Sequence, residues 1–316
     1  MKPFAFVFPG QGSQSVGMLD AWGDHPVVAQ TLAEASDALG EDIGRLIHEG
    51  PKEALALTTN TQPVMLVAAV AAWRVWCADG GAQPAAVAGH SLGEYSALVA
   101  SGVLTLAQAA PLVRFRAAAM QEAVPVGVGA MAAILGMDAE KVKAGCAEAQ
   151  ATFGETSAEV VEAVNFNDPA QTVIAGSKAA VEKACEVLKA NGAKRALPLP
   201  VSAPFHSSLM KPAAGKLREK LAGLSFAAPQ IPLVNNIDVA VEADADRIRD
   251  ALYRQAFGPV RWVECVHAIR ARGVSTIIEC GPGKVLAGMT KRIDTELMGA
   301  ALYDPASLAE VKALLA

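Results

Sequence analysis

A single serine stands between two glycines in Gly89-His90-Ser91-Leu92-Gly93. A short apolar run, Ala85 to Ala88, precedes it, and a helix-like stretch, Leu92 to Ala100, follows and closes at Gly102. Strand, G-x-S-x-G and helix in that order make the setting of a nucleophile elbow. The sharp turn brings the flanking residues close to neighbouring backbone, where a Cβ would collide. It lifts the serine oxygen off the sheet and aims the amides of the helix N-terminus at the place where an oxyanion would form. This setting predicts a catalytic, nucleophilic Ser91.

A serine nucleophile needs a base. The histidines are 25, 48, 90, 206 and 267. His90 adjoins the serine and is expected to point elsewhere, in a structural role. His206 lies in Val201-Ser202-Ala203-Pro204-Phe205-His206-Ser207-Ser208, a loop leaving a strand, and is the better candidate. His25 and His48 read as surface residues and His267 as a satisfied side chain on an amphipathic helix. Acidic residues between Ser91 and His206 fall on helical faces or in Asn167-Asp168-Pro169, so a Ser–His dyad is the economical reading. The first loop, Phe8-Pro9-Gly10-Gln11-Gly12-Ser13-Gln14-Ser15, lacks the third glycine of a dinucleotide fingerprint and the lysine of a phosphate-binding loop. It is expected beside the elbow, supplying a second oxyanion donor.

These groups need a scaffold. Phe4 to Phe8, Ala85 to Ala88 and Ile277 to Cys280 read as buried strands, with helices at about 27–39 and 62–78. Strands alternating with helices predict a parallel sheet covered on both faces. Residues 128–200 break that rhythm: a strand over Met131–Gly136, a helix capped by Asp138, strands at Val160–Val164 and Thr172–Ala175 joined by a turn at Asn165–Pro169, a helix capped by Ser177, and a strand over Lys194–Leu199. That order, β-α-β-β-α-β, is ferredoxin-like. The expected fold class is therefore α/β, a hydrolase-like parallel sheet core carrying an inserted ferredoxin-like small subdomain. The expected division is 1–127 with 198–316 for the large subdomain and 128–197 for the small one.

The chain also resembles a known family, the malonyl-CoA:acyl carrier protein transacylases, almost end to end. The resemblance is carried by FPGQGSQ at 8–14, GHSLGEYSAL at 89–98, Arg114-Phe115-Arg116, Val164-Asn165-Phe166-Asn167, VSAPFHSSLM at 201–210, Leu233-Val234-Asn235-Asn236, Arg254-Gln255 and GPGKVLAGMTKRI at 281–293. The acyltransferase domains of polyketide synthases share most of these motifs.

The resemblance implies Ser91 as nucleophile and His206 as base, with Gln255 near His206 to orient it. It implies an oxyanion hole from the main-chain amides of Leu92 and Gln11, and a clasp on the malonyl carboxylate by Arg116, a task that suits a planar guanidinium. Asn165, Asn167 and Phe205 are implied to line the substrate. Phe205 before the histidine and Leu92 after the serine go with malonyl rather than methylmalonyl. The implied reaction is ping-pong: malonyl-CoA loads Ser91, and the phosphopantetheine thiol of holo acyl carrier protein removes the malonyl group, in fatty acid biosynthesis. No cofactor or metal is called for. A discrete polyketide-synthase acyltransferase, a serine thioesterase or hydrolase, and a non-catalytic binder of CoA esters are the alternatives.

Composition sets the remaining expectations. The 316 residues carry Lys+Arg 27 against Asp+Glu 32, a net charge of −5, which argues against nucleic acid as partner. An acidic carrier would then need a local basic patch, either Lys189, Lys194 and Arg195 or Lys284, Lys291 and Arg292. The five cysteines have no CxxC spacing and read as reduced, buried apolar filler. The longest apolar run, Val64 to Trp73, is short of the ~18 residues of a membrane span. The expectation is a cytoplasmic monomer.

Overall fold

A computed structural model describes residues 2–154, 156–201 and 203–316; Ser202 of the VSAPFHSSLM motif lies outside them. The chain forms two compact units. The first comprises Met1–Ala117, Gly223–Ile248 and Cys265–Ala316, and the second Ala118–Ala222 and Arg249–Glu264. The segment 128–197 falls inside the second, which also takes in residues on either side of it.

The strands are β1 (Phe4–Phe8), β2 (Ala86–Gly89), β3 (Gly129–Leu135), β4 (Val161–Asp168), β5 (Gln171–Ser177), β6 (Arg195–Pro198), β7 (Leu233–Val234), β8 (Thr276–Cys280) and β9 (Met298–Leu302). In the first unit five of them make a parallel sheet in the order β7-β2-β1-β8-β9, with Phe6 opposite Val87 and Val7 opposite Glu279. Every residue of β1 and β8 is buried, as a parallel strand covered on both faces requires. The helix Thr58–Ala78 covers one face. Its Trp73 and Trp76 meet the ring of Phe6 edge to face at 5.5 and 5.3 Å. That helix runs to 21 residues, twice the apolar run read from the sequence, and is long and apolar enough to cross a membrane. Its most apolar window is 83% buried inside the fold, which marks it as a core helix of this unit.

The second unit holds the expected β-α-β-β-α-β order. Its sheet runs β4-β5-β3-β6 and is antiparallel throughout. Helices Ala139–Ala151 and Lys178–Ala190 pack Val142, Cys146, Val181 and Leu188 against Ile134 and Ile174. Asp138 caps the first helix, accepting from the Lys141 amide at 3.0 Å. Ser177 stands at the head of the second, but its hydroxyl bonds residue 160 across the sheet and makes no cap.

The segment Asn165–Asp168 corrects the sequence reading. It is not a turn: it continues β4, pairing with β5 through two register shifts and with Val260 on its other edge. Only Pro169 and Ala170 turn the chain. The cysteine reading also needs amendment. Cys146, Cys265 and Cys280 are buried, but Cys77 is exposed and Cys185 half-buried, and none of the five forms a disulfide among the described residues. Of the outlying histidines, His25 caps helix Pro26–Leu39 by accepting from the Val27 amide at 3.3 Å, and His48 pairs with Asp20.

Candidate active site

In the first unit β2 ends at Gly89 and the helix Gly93–Ala100 begins four residues later. Ser91, between them, has φ of +54°. A non-glycine residue in the left-handed region is held there by its surroundings, commonly at a functional turn. Both glycines are obligatory. A Cβ on Gly89 would lie 1.9 Å from the backbone of Gly93, and one on Gly93 would lie 2.1 Å from the Phe8 carbonyl oxygen. The tightness runs between the turn and the end of β1, so the glycines let the elbow press against the first loop.

Asn236, just beyond β7, braces the turn. Its Oδ1 accepts from the Ser91 amide at 2.8 Å, and its Nδ2 donates to the Gly89 carbonyl at 2.7 Å. Its own amide donates to Glu94 Oε2 at 2.9 Å. One fully buried side chain thus ties both sides of the strained residue. Asn236 stood in a quoted motif without a role. Two asparagines directly after a short apolar run were the available signal.

Arg116 approaches from helix Leu106–Ala123. Its Nη2 donates to Ser91 Oγ at 3.3 Å and its Nη1 to Gln62 Oε1, on helix Thr58–Ala78, at 2.7 Å. The guanidinium lies 5.4 Å from the ring centre of Tyr95 and is only 2% exposed. Burial lowers its pKa, opposed by the charges of Tyr95 and Glu94, while burial pushes the Tyr95 phenol up to about 12. Gln62 and Tyr95 are positioning residues that the sequence reading missed.

The first loop abuts the elbow. A Cβ on Gly10 would lie 2.7 Å from the His90 carbonyl oxygen, and the His90 amide donates to the Phe8 carbonyl at 3.0 Å. The side chain of Gln11 accepts from the Thr58 hydroxyl at 2.7 Å. Leu92, at the start of the helix, is buried. The first unit therefore gathers Ser91, Leu92, Arg116 and the Gln11 loop.

The second unit gathers His206, Phe205 and Gln255. His206 also has positive φ, +66°, and is 3% exposed. Its Nδ1 lies 2.8 Å from the main-chain oxygen of Gln255. A carbonyl oxygen only accepts, so Nδ1 carries a proton, and in the neutral ring the lone pair lies on Nε2. Gln255 thus lies beside the histidine and meets it through its backbone. The loop is fastened on both sides: the Ser207 hydroxyl donates to the Pro204 carbonyl at 2.7 Å, and the Ser208 amide to Glu162 Oε2 at 2.6 Å.

Asn165 and Asn167 lie on β4, away from any turn. The backbone there is clamped by Phe166 donating to Val260 at 3.0 Å and Val260 donating to Val164 at 2.8 Å. Asn165 Oδ1 is buried with no hydrogen-bond partner among the described residues, an acceptor available to a ligand donor. A cavity of about 1200 Å³ in this unit, lined by Lys143, Cys146, Val161 and Phe166 among others, touches none of the predicted site residues. Volume alone does not locate the chemistry here.

The described residues contain no group of three or more His, Cys, Asp or Glu side chains suited to a metal. What the geometry offers is a strained serine beside a buried guanidinium, and a buried imidazole with a defined tautomer.

Residues 5–301 match the family model described as "Acyl transferase domain". The chain is 55% identical over 309 residues, 98% of each chain, to the malonyl CoA-acyl carrier protein transacylase of Salmonella typhimurium. Among solved structures it is 68% identical to an acyl-carrier-protein S-malonyltransferase from Burkholderia pseudomallei 1710b, with a TM-score of 0.95 over 98% of this chain and 99% of that one. It is 54% identical, with a TM-score of 0.94 over 97% and 98% of the two chains, to a malonyl-transacylase solved in complex with a type II PKS acyl-carrier protein.

Proposed function

The chain belongs to the acyl transferase family, and from that premise we propose that it moves a malonyl group from malonyl-CoA to the phosphopantetheine thiol of acyl carrier protein, as a cytoplasmic monomer serving fatty acid biosynthesis. One observation carries the choice of acyl group: the guanidinium of Arg116 is buried 3.3 Å from Ser91 Oγ. An acyl group bound on that oxygen meets a desolvated cation at once. A dicarboxylic half-thioester such as malonyl supplies the carboxylate that offsets it; a plain alkyl acyl group supplies nothing. Gln62 holds Nη1 and so fixes the plane of the fork.

The steps follow from the groups. Ser91 Oγ attacks the thioester carbonyl of malonyl-CoA while His206 Nε2 takes its proton. The tetrahedral oxyanion rests on the main-chain amides of Leu92 and Gln11. The C–S bond breaks, and the proton on His206 passes to the departing CoA thiolate. Malonyl-Ser91 remains, its carboxylate on Arg116, with Asn165, Asn167 and Phe205 around the substrate. The carrier thiol then gives its proton to His206 and attacks the ester, and Ser91 leaves reprotonated. Imidazole orientation by the neutral Gln255 carbonyl serves both halves, because the same ring must accept and return a proton without a buried acid stabilising its cation permanently.

The direct test mixes the protein with malonyl-CoA labelled in the malonyl group and either holo or apo acyl carrier protein. Label should move to the holo carrier and not to the apo form, which lacks the thiol. Release of free malonate at the same rate with either carrier would establish the hydrolase reading instead.

A further inference from the structure

Glu279 is fully buried, and no step above uses it. It sits on β8 opposite Val7 of β1, two residues before the chain reaches Pro9 and the Gln11 loop. Its Oε2 accepts from the Ala287 amide at 2.9 Å, inside the first turn of helix Val285–Ile293. The N-cap of that helix, Lys284, provides no side-chain hydrogen bond. A strand carboxylate thus takes the place of the missing cap and meets the positive end of the helix. Burial lifts the carboxyl to about 7 against the pull of the Ala287, Leu286 and Val285 amides. The fold keeps this acid where desolvation makes it costly.

Between Glu279 and the helix runs Gly281-Pro282-Gly283. Gly281 has φ of +125°, and a Cβ there would lie 2.9 Å from the Ala69 Cβ and 3.4 Å from the Pro9 Cδ. Gly283 has φ of +94°, and a Cβ there would lie 2.6 Å from the Ser13 Oγ. Pro9 and Ser13 bracket Gln11. The turn therefore bears on the first loop on one side, while the His90 carbonyl bears on Gly10.

We propose that Glu279 is a positioning residue: by clamping the start of helix Val285–Ile293 it seats the 281–283 turn against Pro9 and Ser13, and so sets the Gln11 main-chain amide beside Ser91. The inference rests on the proposed assignment of that amide to the oxyanion. It separates two effects of one side chain, since a group retained only for stability would be better replaced by an uncharged one.

The test is single-turnover formation of malonyl-Ser91, followed by quenched-flow mass spectrometry and normalised to the folded fraction from near-ultraviolet circular dichroism. Glu279→Leu removes every acceptor; its acylation rate should fall by at least ~10-fold, part of the loss that follows removal of an oxyanion donor. The malonyl-CoA concentration giving half-maximal rate should stay unchanged, because Arg116 is untouched. Glu279→Gln keeps one oxygen for the Ala287 amide and should recover most of the rate. Gly283→Ala leaves Glu279 in place and pushes on Ser13, so it should lower the rate as Glu279→Leu does; it gives the reading if Glu279→Leu does not fold. Wild-type rates in the folded Leu variant, or in Gly283→Ala, would overturn the proposal. A wild-type protein that forms no acyl-serine at all would overturn both this proposal and the function it rests on.

Discussion

Arg116 Nη2 stands 3.3 Å from the Oγ of Ser91, and its other terminal nitrogen is held by Gln62 at 2.7 Å. In the proposed function, a buried guanidinium fixed in this way receives the carboxylate of the acyl group on the serine.

Arg116→Ala should therefore lose malonyl transfer while handling acetyl-CoA better than the wild type. Removing one partner of a buried charged contact costs roughly 2–5 kcal/mol, or roughly 30- to 4,000-fold in rate. Arg116→Lys should recover little, because an ammonium lacks the rigid planar fork that meets Gln62 with one nitrogen and a carboxylate with the other. The measurement is kcat/KM with each acyl-CoA; equal malonyl loading by the wild type and the Ala variant would remove the carboxylate role.

The acceptor for His206 Nδ1 is the Gln255 backbone. Truncating that side chain to alanine leaves the carbonyl in place. Gln255→Ala should keep kcat within several-fold of wild type, whereas His206→Ala should lower acylation by the roughly 10²–10⁴-fold typical of a lost general base. A collapse of activity in Gln255→Ala with the fold intact would show that the amide itself is required.

Asn236 satisfies the amide of a residue at φ +54°. Asn236→Ala leaves the Ser91 N–H and the Gly89 carbonyl without this partner and should cost roughly 1–3 kcal/mol of stability. Acylation should slow as well, because the elbow loses its brace. Asn236→Asp should be worse, since it places a second carboxylate beside Glu94 and an acceptor against the Gly89 carbonyl. Urea unfolding and acylation of the same samples check this.

Gly93→Ala puts a methyl group 2.1 Å from the Phe8 oxygen. Backbone meets backbone there, so no side chain can move aside. The variant should lose roughly 4 kcal/mol or more, or fail to accumulate in folded form. Thermal melting of the purified variant decides it.

Glu279 gives a pH prediction. Its folded value of about 7 lies above the ordinary 4.5. The folded protein thus holds a proton that the unfolded chain releases across that interval. The associated stability is full below the lower value and lost as pH rises to the upper one. The neighbouring Cys280 thiol is pushed well above its ordinary range by burial and does not titrate there. Glu279→Gln abolishes the effect, so the melting temperature of the variant relative to wild type should climb from about pH 4.5 to about pH 7 and then level off. A pH-independent difference would contradict it.

Much of this was legible in the residues. Gly89 and Gly93, set between an apolar run and a helix-like stretch, pointed to the elbow, because a sharp turn against neighbouring backbone leaves no room for a Cβ on either side of the serine, and β1, β2 and β8 read as buried runs. The small unit was legible from its β-α-β-β-α-β rhythm. What escaped depends on tertiary partners. Asn165–Asp168 has turn chemistry, yet pairing with β5 and Val260 on both edges overrode it. Asn236 braces Ser91 from 145 residues away, a link no local pattern carries. The Gln255 contribution is a main-chain atom, which residue type cannot reveal. Glu279 sits inside an apolar strand and looks like an interruption until the first turn of helix Val285–Ile293 is seen to rest on it.

The most direct measurement is intact-protein mass spectrometry after brief mixing with malonyl-CoA, on wild type and Ser91→Ala, followed by holo acyl carrier protein. The account predicts a malonyl adduct on the wild type alone, which disappears as the carrier gains the same mass. An adduct on Ser91→Ala, or none on the wild type while the carrier is still charged, would contradict transfer through the serine.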